Sequence, residues 1–194
     1  MRDNLQHFDM YMELVTKAWR EHGVLIEQKS SRWYWRFLGF LLRIVSFGKI
    51  DFMNDFQTVI GNRIGVTPSW KHFDYAMKYA TLLHELEHIK EYKKFGFGNV
   101  WVGVVVFGFL YLFFPLPVGL AWFRARAEKA GYEQSLRAYM RTHGYDAAAQ
   151  AKDHVIKQFT SANYLWMWPF PKQLSKWFDS ALVRIAEEEG IDLQ

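Results

Sequence analysis

The segment Ala80–Tyr92 reads ATLLHELEHIKEY and contains an HExxH motif at positions 84 to 88. In an α-helix, residues four apart lie one above the other on the same face, so His84 and His88 would both point towards one ligand. Two imidazoles in this arrangement bind a single zinc ion, and Glu85 between them can accept a proton from a water on that ion. The motif therefore predicts a helix that carries two metal ligands and a general base.

The residues on either side predict where this helix begins and ends. Thr67-Pro68-Ser69 combines a capping residue with a proline suited to a first turn, and Gly96 is a typical stop. Between these limits apolar residues recur along one side, while lysines keep the other side polar. One helix from Trp70 to Phe95 is therefore expected. The alternative is a surface helix whose histidines and glutamates are only solvated.

The composition restricts what kind of protein this chain can be. Its 194 residues suit a single domain over 1–194, and cysteine is absent. Disulfides and thiolate metal sites are thereby excluded, so a metal must be held by His, Asp or Glu. The first residues, MRDNLQHFDMYMEL, lack an apolar signal region, and a cytoplasmic protein is expected. The net charge of +4 comes from scattered Lys and Arg, which does not favour nucleic-acid binding.

The rest of the chain predicts further helices and one β-hairpin. Gly61-Asn62 is a two-residue turn signal between the β-type runs 56–60 and 63–67. The predicted helices are 4–21, 33–47, 121–142, 146–159 and 172–189. These elements predict an α+β protein that is mainly helical, with a small hairpin beside the HExxH helix and a second helix that carries a metal ligand.

No charged residue occurs between Phe95 and Phe123. That length makes the stretch a transmembrane candidate, but one crossing would leave a later metal ligand on the wrong side of the membrane. Pro115 and Pro117 would break the helix after about 15 residues, or about 22 Å, which is short of a hydrocarbon core of about 30 Å. We therefore expect 100–123 to form a helix, a proline turn and a return, either buried or dipping into one leaflet.

Aromatic residues make up 19% of the chain and cluster in 32–47, 95–123 and 164–170. Such clusters suit a core, a membrane interface or a groove for peptides. Arg36 and Arg43 within the first cluster argue against a membrane span and suit an interfacial or core-facing helix. The third cluster, YLWMWPF, is expected to plug the domain core.

A catalytic zinc site needs a third protein ligand and an open position for water. The extended motif HExxHxxGxxH is absent, because Glu91 stands at its glycine position and Lys94 at its third histidine. A carboxylate from a later helix is therefore expected. Glu128, in the charged segment directly after the apolar stretch, is the first choice. The remaining alternatives are Glu133, His143 and His154.

A hairpin, an HExxH helix and a glutamate 40 residues downstream together resemble the gluzincin type of zinc metallopeptidase. The segment PLPVGLAWFRARAEKAGYEQSLRAY at 115–139 also resembles uncharacterised bacterial proteins in which a PLP turn leads into an RxRxExxxY helix. Together the two resemblances cover residues 50–142 or so, and HExxH is their most specific motif.

The gluzincin resemblance implies that His84, His88 and Glu128 hold Zn2+ and that Glu85 is the general base. It implies hydrolysis of a peptide or protein substrate by a zinc-bound water, with the hairpin pairing with the substrate chain. Tyr132 is the nearest match to the family's transition-state residue, without a motif to support it. Peripheral contact with a membrane is a further expectation. The alternative is a non-catalytic metal-binding protein at a membrane surface.

Overall fold

The computed structural model describes residues 2–46, 48–49, 51–114, 119–161 and 166–191. The helices are α1 (Arg2–His22), α2 (Trp33–Val45), α3 (Tyr75–Phe95), α4 (Val100–Phe113), α5 (Trp122–His143), α6 (Tyr145–Gln150), α7 (Lys152–Thr160) and α8 (Pro171–Glu188). The strands are β1 (Leu25–Gln28), β2 (Thr58–Ile60) and β3 (Arg63–Val66). The fold is mainly helical with one small sheet, which confirms the α+β class.

The chain divides into two compact units, Met1–Val104 and Val105–Gln194. The first unit contains α1, the sheet, α2, α3 and the start of α4. The second contains the rest of α4 and α5 to α8. Two compact units can belong to one domain or to two, so the single domain over 1–194 stays a prediction.

The sheet of the first unit has the strand order β1-β3-β2. β3 pairs antiparallel with β2 around the Gly61-Asn62 turn, which confirms the predicted hairpin, and it pairs parallel with β1. Gly61 has a φ of +64°, which glycine adopts without steric cost. Strand β1 is not evident from the sequence, because its residues LIEQ do not alternate between apolar and polar.

Lys29, directly after β1, is fully buried in the first unit. Its ammonium donates hydrogen bonds to the carbonyls of Phe52 and Phe56, each at 2.7 Å, and to the Thr58 hydroxyl at 3.1 Å. These bonds use all three of its hydrogens. The nitrogen also lies 3.7 Å from the centroid of the Phe52 ring. Through these hydrogen bonds, Lys29 links the segment before β2 to the end of β1.

Burial lowers the pKa of Lys29 to about 7, and the Glu85, Asp55 and Asp51 carboxylates oppose that shift. A lysine in the unfolded chain has a pKa of about 10.4, so between these values the unfolded state binds more protons than the folded state. The free energy of unfolding should then rise with pH from about 7 to about 10. At about 1.4 kcal/mol for each pH unit over which only the unfolded state is protonated, we expect a rise on the order of 3 kcal/mol between pH 7 and pH 9.5.

Urea unfolding of the wild type, Lys29→Met and Lys17→Met at pH 7 and pH 9.5 measures this rise. Lys29→Met loses three hydrogen bonds and should be less stable at pH 7, but its stability should no longer climb with pH. Lys17 is exposed on α1, so its replacement should leave the wild-type rise in place. An equal rise in Lys29→Met would show that other groups produce it.

Helix α3 begins later than predicted, at Tyr75 and not at Trp70. Thr67-Pro68-Ser69 leads into a 3-10 helix, Pro68–His72, and the Thr67 hydroxyl is bonded to Ser69 and Gln57. Asp74 provides the cap instead, by accepting a hydrogen bond from the Met77 N–H at 2.7 Å. The predicted end is confirmed at Gly96, whose N–H donates to the Tyr92 carbonyl at 2.9 Å.

A tight turn separates α3 from α4. The Asn99 side chain accepts hydrogen bonds from the Trp101 and Val102 N–H groups at 3.0 and 3.2 Å, and thereby caps α4. The helix predicted after residue 100 is present as far as Phe113, while the predicted proline turn at 115–118 lies outside the described residues. Within the described ranges no single helix is long and apolar enough to cross a membrane. Helices α3 and α4 pass that test only as a pair, bent by 101°.

The second unit is built from helices packed on helices. Its core includes Leu136, Phe159, Phe178 and Ile185, each at most 1% exposed. The helix predicted over 146–159 is two helices, α6 and α7, with a break at Ala151. Both helices contribute to that core, since Ala148 in α6 and Val155 in α7 are buried in it.

Part of the aromatic segment at 164–170 belongs to the same core. Met167 is fully buried there, and its carbonyl accepts a hydrogen bond from the Ala121 N–H at 2.9 Å, just before α5. That position agrees with a plug against the helices. Residues 162–165, which include the start of the segment, lie outside the described residues.

Candidate metal centre

Helix α3 presents its two motif histidines one turn apart. The ring centroids of His84 and His88 are 5.1 Å apart, with an angle of 71° between the ring planes. Glu85 and His88 are each 7% exposed, whereas His84 is partly exposed. The HExxH segment is therefore not a solvated surface helix. The helix buries one imidazole and the Glu85 carboxylate and leaves the other imidazole partly exposed.

The Glu85 carboxylate has a basic neighbour within the first unit. Its charge raises the pKa of the buried Lys29, which partly offsets the lowering by burial. Lys29 in turn is held by the two carbonyls and the hydroxyl described above. The predicted general base thus lies in a partly desolvated environment with a fixed lysine, a type of environment common in catalytic sites. The sequence does not indicate this lysine, because no motif contains it.

Glu128 is held by Tyr111, which is held in turn by Arg124, within the second unit. It lies on α5, is 3% exposed, and accepts a hydrogen bond from the Tyr111 hydroxyl on α4. Arg124, one turn before Glu128, donates to the Tyr111 carbonyl at 3.1 Å and lies over the Tyr111 ring at 5.2 Å. The carboxylate is therefore oriented by Tyr111, and Tyr111 is oriented by Arg124.

The sequence of α4 indicates that Tyr111 has a polar partner. The structure identifies that partner as Glu128. Tyr111 carries the one hydroxyl group in the otherwise apolar sequence of α4, VWVGVVVFGFLYLF. A buried tyrosine hydroxyl usually finds a hydrogen-bond partner, so its presence there indicates a polar group nearby. The sequence of α4 alone does not identify that group.

His84, His88 and Glu128 form a group that could hold a metal ion. Each offers one ligand atom, and these atoms lie within 4.8 Å of one another. Two imidazole nitrogens and one carboxylate oxygen are the ligand set of a catalytic zinc site, which leaves a further position for water or substrate. Cysteine is absent from the chain, so this nitrogen and oxygen set is the kind of site that the composition allows.

The alternative third ligands are bonded elsewhere. Glu133 accepts a hydrogen bond from the Trp177 ring nitrogen at 3.0 Å and forms an ion pair with Arg184 at 2.7 Å. His143 lies 2.8 Å from the hydroxyl of its neighbour Thr142, and His154 lies 3.4 Å from the Gln158 amide nitrogen. Among the described residues, Glu128 is the candidate that joins the two motif histidines in one group.

Tyr132 lies one turn after Glu128 and packs on the second unit's core. Its ring centroid is 5.6 Å from that of Phe159. Tyr111 is the tyrosine whose hydroxyl contacts the predicted ligand, and the sequence does not place it there. The role in the transition state suggested for Tyr132 stays a prediction.

Comparisons with family models, with curated proteins and with solved structures found no match to this chain. The function of this chain is therefore inferred from the chemistry of the His84, His88 and Glu128 group and of Glu85 beside it.

Proposed function

We propose that this protein is a zinc-dependent metallopeptidase of the gluzincin type. The observation that carries the proposal is the group of His84, His88 and Glu128, with Glu85 buried next to the first ligand. This set supplies three ligands of the kinds that zinc prefers and a carboxylate suited to a general base. A peptide or protein substrate follows from the chemistry that such a site performs.

The proposed reaction assigns a task to each residue. His84, His88 and Glu128 would hold the zinc ion, which would supply Lewis acidity for activation of water and of the substrate carbonyl. The Glu85 carboxylate accepts a proton from the attacking water and later donates it to the leaving amine. Tyr111 and Arg124 keep the Glu128 carboxylate oriented, as outer-shell partners of metal ligands do.

Substrate binding by strand addition is proposed at β2. The hairpin's other strand, β3, is paired on both sides and can accept no further strand. β2 is an edge strand beside α3, and the Val59 carbonyl accepts a hydrogen bond from the Tyr92 hydroxyl of α3 at 3.0 Å. An extended peptide added to β2 would run next to the helix that carries the motif.

Metal content tests the ligand set. We expect the purified wild type to bind one equivalent of zinc, and His84→Ala and Glu128→Ala to bind it far more weakly. Each substitution removes a ligand, so each loss should exceed the roughly 10- to 100-fold that outer-shell changes cost. Elemental analysis after dialysis against a weak chelator gives the occupancy, and competition with a chelating dye gives the affinity.

Glu133→Ala is the matched control, because Glu133 lies on the same helix five positions further on and is bonded to Trp177 and Arg184. It should keep the wild-type zinc content. Full zinc occupancy in Glu128→Ala, together with loss of zinc in Glu133→Ala, would identify Glu133 as the third ligand. Full occupancy in His84→Ala would contradict the proposed function itself.

Replacing Tyr111 by Phe tests how the Glu128 carboxylate is held. The ring stays and the hydroxyl is lost, so we expect zinc affinity to fall about 10-fold with little change in stability. Tyr145→Phe, a partly buried tyrosine elsewhere in the second unit, should leave the affinity unchanged. Unchanged zinc affinity in Tyr111→Phe would contradict the proposed role of Tyr111 in orienting the Glu128 carboxylate.

A second candidate function is a metal-binding protein without catalysis at a membrane surface. It is favoured by the exposed apolar residues of α2 and α4, which an enzyme acting in solution does not require. Zinc binding would be the same in both cases, so hydrolysis by the zinc-loaded chain separates the two candidates.

A further inference from the structure

Helix α2 has two apolar faces on opposite sides. The inner face includes Trp35, which is fully buried, and Gly39, where an added Cβ would lie 3.1 Å from the sulfur of Met53. The outer residues follow the spacing i, i+4, i+7 and i+11, which places them in one stripe along the helix. The outer stripe consists of Trp33 (70% exposed), Phe37 (55%), Phe40 (60%) and Ile44 (57%). Among the residues that the structure describes, only the inner face is buried in the fold.

Positive charge borders the outer stripe. Arg36 and Arg43 are exposed and lie seven positions apart, along the same side of the stripe. The helix contains no acidic residue between Trp33 and Val45. The outer surface of α2 therefore combines large apolar side chains, a tryptophan at one end and two unopposed arginines within its own sequence.

Helix α2 is fixed to the first unit and would meet a partner as a rigid element. The Trp35 ring nitrogen donates a hydrogen bond to Glu27 of β1 at 2.9 Å, and the neighbouring Tyr34 hydroxyl donates to the same carboxylate. A surface that is already ordered loses little conformational entropy on binding. The exposed stripe is thus presented on a fixed helix and does not have to fold first.

We propose that the outer face of α2 binds the surface of an anionic phospholipid bilayer. The four stripe residues would enter the boundary between headgroups and acyl chains, with the helix lying in the plane of the membrane. Arg36 and Arg43 would contact lipid phosphates while their aliphatic stems follow the apolar surface. This binding is independent of the proposed peptidase activity, because none of the residues involved belongs to the metal group.

Charge argues against a second copy of α2 as the partner of this face, and length argues against a membrane span. Two copies of α2 packed face to face would bring arginines against arginines with no carboxylate on either helix, which is repulsive. A membrane span is excluded by length, because 13 residues give about 20 Å of helix against a hydrocarbon core of about 30 Å. An anionic bilayer surface satisfies both the apolar stripe and the two cations.

Vesicle flotation of the full chain tests this proposal. The probes are phosphatidylcholine vesicles with and without phosphatidylglycerol, at low and raised salt. The wild type should float with the anionic vesicles and bind neutral ones more weakly. Phe37→Ser/Phe40→Ser should lower the apparent affinity about 10-fold or more, and Arg36→Gln/Arg43→Gln should do so for anionic vesicles only.

Matched controls replace an exposed apolar residue and an exposed arginine on other helices, Val183→Gln on α8 and Arg20→Gln on α1. Both should float like the wild type. Circular dichroism melting should show that the α2 variants stay folded, since the substituted side chains are exposed. The proposal is overturned if the wild type does not float, or if both α2 double variants float as well as the wild type. A dimer in size-exclusion chromatography that the α2 variants abolish, without flotation, would identify a second copy as the occupant.

Discussion

Replacing Glu85 by glutamine is expected to reduce peptide hydrolysis by a factor of about 100 to 10,000, the usual contribution of a general base. Glutamine keeps the shape of the side chain and its place in the buried helix face, but it cannot accept the proton of the attacking water. Zinc content should be unchanged, because Glu85 is not one of the three ligands. Hydrolysis is measured with labelled casein and a library of quenched fluorescent peptides, and zinc by elemental analysis of the same preparation.

The matched control for this substitution is Glu87→Gln, in the same motif. Glu87 forms an ion pair with Lys90 at 2.8 Å, and this pair is partly exposed, so it contributes little stability. Its loss should leave hydrolysis within about twofold of the wild type, as expected for a surface ion pair. Equal loss in both variants would indicate damage to α3 and not removal of a base. Full activity in Glu85→Gln would remove Glu85 from the reaction, and a zinc-loaded wild type without activity would favour the non-catalytic candidate.

Replacing Gly103 by alanine is expected to have the largest effect on stability. A Cβ at this position would lie 1.7 Å from the Tyr92 carbonyl oxygen and 2.5 Å from its carbonyl carbon. Both atoms belong to the backbone near the end of α3, so neither can move aside as a side chain would. Overpacking usually costs about 1–3 kcal/mol, and we expect more than about 3 kcal/mol here because two helix backbones must separate.

Gly108→Ala provides a control in the same helix. An added Cβ at Gly108 meets nothing within 4 Å, so the higher helix propensity of alanine should raise stability by about 0.5–1 kcal/mol. Urea unfolding followed by circular dichroism measures both variants. The two glycines are indistinguishable by local sequence, so opposite signs at the two positions would support the close approach of α4 to the end of α3. Wild-type stability in Gly103→Ala would contradict that contact.

Local patterns in the sequence predict many of the secondary-structure elements. The hairpin follows from Gly61-Asn62 and the end of α3 from Gly96, because turns and helix ends depend on the backbone preferences of a few adjacent residues. The start of α3 is predicted wrongly for the same local reason. Thr67-Pro68-Ser69 begins a 3-10 helix, and Asp74, seven positions after Thr67, caps α3 by accepting a hydrogen bond from the Met77 N–H.

Elements that lack a local sequence signal are either not predicted at all or are predicted as one element with their neighbour. β1 has four residues and gains its hydrogen bonds by pairing with β3, a partner more than thirty positions away. The division between α6 and α7 falls at Ala151, in an alanine-rich run that contains no glycine or proline to mark a helix end. Neither outcome can be derived from the residues at the site itself.

The candidate metal centre shows the same division between sequence and tertiary structure. The sequence by itself determined that His84 and His88 lie on one helix face with Glu85 between them, because the pitch of an α-helix depends on nothing else in the chain. It also determined, through the absence of cysteine, that any metal has nitrogen and oxygen ligands. Only the tertiary structure decided that Glu128, and not Glu133, joins the two histidines in a group that could hold a metal ion, with the Tyr111 hydroxyl bonded to Glu128. It also showed that the charge of Glu85 acts on the buried Lys29. Contacts between residues far apart in sequence depend on turns and packing that no local pattern encodes.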